Sequence, residues 1–71
     1  MEPYASVEEY EARYGKVDDD KLLVELLMDA TRLVASELRL AGLPTDGEKA
    51  ADVRMQVCRA VAFRAMTQET Q

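Results

Sequence analysis

The sequence holds no histidine and a single cysteine among its 71 residues. Without histidine it lacks the usual general base, the commonest zinc ligand and every Ser/His/Asp or Cys/His arrangement. No catalysis is therefore expected, and no cofactor or metal. Cys58 has no second cysteine to pair with and lies inside an apolar helical pattern, where a thiol behaves as a small buried hydrophobe rather than as a nucleophile. This points to a reducing compartment. No basic and apolar leader opens the chain, and no uninterrupted apolar run approaches the roughly 20 residues needed to span a bilayer. The expectation is a soluble, cytosolic protein with no membrane contact. Internal repeats, low-complexity tracts and the period-two alternation of strands are also missing.

What is present fits one small domain, 1–71, and a domain of this size buries only a modest share of its unfolded surface. Small scaffolds add disulfides, a metal or a partner subunit. With one cysteine and no histidine the first two routes are nearly closed, and a partner subunit is left. The net charge is −5, which opposes free association with nucleic acid phosphates. It is unevenly spread: residues 1–31 carry nine acids against three bases, residues 32–71 five acids against six bases. An acidic front and a near-neutral back suit head-to-tail docking between like subunits, or equally the packing of two halves of one monomer.

The local signals predict three helices. Ser6 with Glu9 is a capping-box pattern and Gly15 a stop, giving a first helix over about 6–14. Val7, Tyr10 and Tyr14 share one of its faces; Tyr4 either packs back as a staple or points outward. Asp18, Asp19 and Asp20 stand directly before a long apolar-periodic run, where one caps the helix and the others oppose its dipole; the acid spacing of a calcium loop is missing. The second helix runs over about 19–41, closed by Gly42, Leu43 and Pro44. A turn at 44–47 offers Asp46 as cap for a third helix over about 48–66, followed by a polar tail, 67–71. The fold class read from this is all-α, a short N-terminal helix followed by a long antiparallel helix pair.

On a wheel, Lys21, Glu25, Asp29, Arg32, Ser36 and Arg39 form the solvent face of the second helix, within an arc of about 80°. The opposite apolar arc spans about 160° and is widened by Val24, Met28 and Ala35, more than an ordinary surface helix needs. Glu37 falls inside this arc, so it either meets Arg54, Arg59 or Arg64, in the same subunit or a neighbour, or sits near an exposed end and reaches water. The third helix is apolar almost all round, the pattern of a helix held between neighbours. Its three arginines are five residues apart and point in different directions. They form no basic stripe, so DNA recognition is not expected, and they suit separate anchors at subunit contacts.

Three stretches taken together, Tyr4 to Gly15 (YASVEEYEARYG), Asp19 to Val34 (DDKLLVELLMDATRLV) and Arg54 to Ala65 (RMQVCRAVAFRA), resemble the bacteriophage head-tail connector family. These are the small helical portal adaptor proteins of tailed phages and prophages. The likeness spans about residues 4–66 and lies in the order and spacing of the three. It implies a structural protein of virion assembly, in a ring of copies of itself beneath the portal protein. The ring extends the DNA channel without sequence recognition and presents a surface to the next connector or tail protein. Its place would be the host cytoplasm during assembly and then the head-tail junction of the virion. Ring subunits bury two lateral faces through a heterologous, closing contact. The residues expected at subunit contacts are Val24, Met28, Ala35, Glu37, Arg54, Arg59, Phe63 and Arg64. Family members usually continue past the last helix into a further segment and a C-terminal arm, whereas this sequence runs to Gln71, so a portal-contacting part that is either absent or shorter is expected.

Two other readings stand beside this one. The same apolar helices suit a small regulatory binding module, antitoxin-like or anti-repressor, that wraps a partner protein. A small enzyme would have to rest on scattered carboxylates and Cys58.

Overall fold

The computed structural model describes residues 2–69 and contains α1 (Val7–Tyr14), α2 (Asp20–Leu40) and α3 (Ala51–Glu69). The fold is an all-α three-helix domain, with no strand among the described residues. α2 and α3 are antiparallel: Thr31 faces Cys58, while Leu38 and Ala41 further along α2 come beside Arg54 and Ala50, earlier in the chain than Cys58.

The helix ends follow from local chemistry. The Ser6 hydroxyl accepts the Glu9 N–H at 3.1 Å, and the Glu9 carboxylate accepts the Ser6 N–H at 2.8 Å. This reciprocal pair satisfies two donors that a helix start otherwise leaves to water. Asp19 caps α2 by accepting the Leu22 N–H at 3.0 Å, with Asp20 in the first turn. At the other end Gly42 takes φ 72. There Leu43 N–H bonds Leu38 O at 2.8 Å and Gly42 N–H bonds Arg39 O at 3.1 Å, the paired bonds of a Schellman stop.

α3 departs from expectation at both ends. It begins at Ala51 rather than near 48, and Asp46 does not cap it. The Ala50 carbonyl accepts the Arg54 N–H at 3.0 Å, and Ala50 itself has φ 64, a left-handed conformation that side chains other than glycine rarely adopt. The Arg54 guanidinium reaches back over this turn and donates to the carbonyls of Gly47 and, at 3.2 Å, Lys49. Those carbonyls are held by a side chain, so the helix does not propagate backward through them. At its C-terminal end α3 continues through 67–69, which were expected in the polar tail; Thr67 Oγ1 bonds the Phe63 and Arg64 carbonyls. The rest of that tail, 70–71, lies outside the described residues.

The core is built where the three helices meet: Leu23, Leu27 and Ala30 of α2, Cys58 and Ala62 of α3, Tyr10 of α1, and Ala5 before it. Each fully buried leucine contributes on the order of 1.5–3 kcal/mol.

Candidate subunit interface

An antiparallel helix pair has two long grooves, one on each side, and the chain fills only one of them. On the filled side lie the N-terminal segment and α1. The Tyr4 N–H donates to Thr31 Oγ1 at 2.9 Å, and the Tyr4 hydroxyl donates to the Thr45 carbonyl. Tyr4 therefore packs back, and its ring lies under the Arg54 guanidinium at 5.5 Å. Further along, Tyr10 is buried, Tyr14 stacks on Phe63 with centroids 4.2 Å apart and planes 9° from parallel, and Arg59 Nη1 donates to the Glu9 carbonyl at 3.3 Å. Burial, and secondarily the neighbouring Tyr14, push the Tyr10 phenol above its usual range.

The opposite side is open. Between the C-terminal half of α2 and the N-terminal half of α3 runs a groove of about 820 Å³, walled by Leu33, Val34 and Leu38 on one side and Val53, Val57 and Val61 on the other. Leu43, Pro44 and Ala50 close its end, and Glu37, Asp46, Lys49 and Arg54 are the charged residues along it. The exposure here is large for apolar side chains: Leu33 53%, Leu43 55%, Val53 59% and Val57 43%. Single exposed hydrophobes are ordinary, but a contiguous set is the kind of surface at which proteins and ligands dock.

The eight residues expected at subunit contacts do not fall together. Glu37 lines the open groove, exposed, and makes no ion pair among the described residues, where the one such pair is Arg32 with Asp29. It reaches water, so it has no need of an arginine. Arg64 is exposed beside a smaller hollow on α3. Val24 is exposed and Met28 half-buried on α2, away from the groove. Ala35 is a correction: its exposure is 0%, so nothing of it can meet a neighbour. Arg54 lines the open groove together with Glu37, although it is only 7% exposed and its guanidinium is engaged with the turn of its own chain. Arg59 and Phe63 hold α1 within the subunit. What the sequence reading missed in the groove is the set Leu33, Leu43, Val53 and Val57. A signal was there, because Val53, Val57 and Val61 recur every four residues on a helix whose other side also carries Cys58 and Ala62.

Among the described residues no three carboxylate, thiol or imidazole groups converge as metal ligands, and no helix is long and apolar enough to cross a membrane. Compared with known protein families, with curated proteins and with solved structures, the chain finds no match.

Proposed function

We propose that this chain is a phage or prophage head-tail connector subunit, a non-enzymatic structural protein that assembles into a ring beneath the portal, extends the DNA channel and joins head to tail. The observation that carries the reading is the open apolar groove between α2 and α3, a surface of this chain that calls for a protein partner. The resemblance of residues 4–66 to connector proteins supplies the kind of partner, namely neighbouring copies together with the portal. In such a ring the groove takes the neighbour's surface on one flank. The acidic first half of the chain, with Glu8, Glu9, Asp18, Asp19 and Asp20 all exposed, lines or flanks the channel. A wall of the same sign as DNA lets the duplex slide without adhering.

The test mixes the purified chain with its cognate portal protein and images the product by electron microscopy. Ring-shaped particles, or co-sedimentation with the portal, are expected. A chain that stays apart from the portal at every concentration removes the connector reading in favour of a regulatory binding module.

A further inference from the structure

The turn between α2 and α3 holds the sequence's one aspartate–glycine pair, Asp46 and Gly47. Every other aspartate precedes a residue that carries a side chain: Asp19, Asp20, Lys21, Ala30 or Val53. Asp46 and Gly47 are both exposed. Gly47 takes φ 94, and nothing beyond its chain neighbours lies within 4 Å of where its Cβ would stand. Neither the Gly47 N–H nor the Asp46 carboxylate has a hydrogen-bond or ion-pair partner among the described residues. Asp19, Asp29 and Asp52 differ, since their carboxylates are engaged with the Leu22 N–H, Arg32 and Gln56. The turn is gripped on either side of this free pair, by the Tyr4 hydroxyl at the Thr45 carbonyl and by the Arg54 guanidinium at the Gly47 carbonyl.

We propose that Asp46 is a site of spontaneous covalent modification, at which the folded chain converts aspartate through a succinimide into isoaspartate. The Gly47 backbone nitrogen attacks Cγ of the protonated Asp46 carboxyl. A Cγ–N bond forms, the carboxyl C–O bond breaks, and the hydroxyl leaves with the amide proton as water. Water then opens the five-membered ring at one of its two carbonyls. Addition at Cγ breaks the new C–N bond and restores aspartate. Addition at the main-chain carbonyl of Asp46 breaks the original peptide bond, and the chain then runs through the side-chain carbons. Water is the one reactant, lost and regained, so the mass does not change.

Two features favour attack at this position. A side chain on the following residue would obstruct the approach of nitrogen to Cγ, and glycine has none. The nitrogen must also give up its proton, and the Arg54 guanidinium held at the same residue favours the negative charge that develops. The product then strains the turn. Isoaspartate adds one carbon to the main chain, about 1.5 Å of length, between the two carbonyls that Tyr4 and Arg54 hold. A hydrogen bond stretched that far is lost, so the grip on the turn loosens as the molecule ages. The conversion is independent of what the groove binds and of the connector reading.

The test ages the full chain at neutral pH and physiological temperature in water enriched in heavy oxygen. Samples are digested with trypsin, which places Asp46 alone of the aspartates on the peptide 40–49. Isoaspartate is read by chromatographic separation at equal elemental composition and by methylation with a protein isoaspartyl methyltransferase. Time-dependent labelling and methylation of peptide 40–49 are expected, with the other aspartate peptides left unchanged. Asp46→Glu, in which attack would have to close a six-membered ring, should lose the signal while circular dichroism shows the same helix content. The aged fraction, separated from the parent, should have a lower Tm. No conversion at Asp46, equal conversion at the other aspartates, or a variant that ages like the parent overturns the proposal. An aged fraction with the parent's Tm overturns the loosening of the turn.

Discussion

Thr31 of α2 and Cys58 of α3 face each other across the helix pair with Oγ1 and Sγ 3.4 Å apart, and neither has any exposed surface. The Thr31 hydroxyl donates to the Leu27 carbonyl at 2.7 Å, which leaves its lone pairs to the Tyr4 N–H. The Cys58 thiol lies 3.6 Å from the same carbonyl. One hydroxyl therefore ties α2 to the N-terminal segment and meets α3.

Thr31→Val keeps the shape of the side chain and removes the acceptor, so the Tyr4 amide, on a half-buried residue, loses its partner. An unsatisfied buried donor costs about 1–3 kcal/mol, and a loss at the lower end of that range is expected in urea unfolding. Thr31→Ser, which keeps the hydroxyl, should cost clearly less; equal losses for both would show that the methyl group matters and the hydrogen bond does not.

Tyr14 and Phe63 provide the ring contact between α1 and α3. A double-mutant cycle with Tyr14→Leu and Phe63→Leu should return a coupling of about 0.5–1.5 kcal/mol. Additive losses would mean that the stack contributes nothing beyond buried area.

Ala50 is the one residue other than glycine found at positive φ among the described residues. Ala50→Gly relieves this conformation while making the unfolded chain more flexible, and the first effect is the larger. A gain of about 0.5–1 kcal/mol is expected, a rise of a few degrees in Tm for a domain of this size. A fall in Tm would mean that the left-handed geometry is not kept in solution.

The Tyr10 phenol is raised from its ordinary value of 10.0, chiefly by burial. The folded state therefore holds its proton at a pH where the unfolded chain has begun to lose it. The contribution is complete below pH 10.0 and declines as pH rises through the folded value. Stability measured across the alkaline range should fall above that point, and Tyr10→Phe should flatten the fall; an unchanged slope in the variant would assign it to other groups.

How much of this was legible beforehand depended on whether a side chain or the backbone carried the signal. Ser6 with Glu9, Asp19, and Gly42 with Leu43 set helix ends through side-chain chemistry or glycine, and α1 and α2 lie within a residue of where those residues place them. α3 has no such cap. Its start is set by a left-handed alanine and by an arginine seven residues beyond Gly47 whose guanidinium takes the turn's carbonyls, and no local pattern announces either. For Arg54, the five-residue spacing says that it points away from Arg59 and Arg64 but not that it folds backward over the turn. Thr31 drew no attention, being one hydroxyl in an apolar run. For the groove, periodicity showed that α2 and α3 carry more apolar surface than one partner needs, but not which side α1 would cover. That depended on Tyr4 reaching Thr31 and Thr45.

The bond from the Tyr4 hydroxyl to the Thr45 carbonyl spans 41 residues of chain, and it has a kinetic consequence. The α2–α3 hairpin can close through its own short turn, whereas the N-terminal segment must fold across a hairpin that already exists, closing a far longer loop. Its attachment belongs after the folding transition state. Weakening it, as in Tyr4→Phe, leaves the refolding rate nearly unchanged and appears almost wholly as faster unfolding. The segment that hides one side of the helix pair is thus a brake on opening rather than a guide to folding.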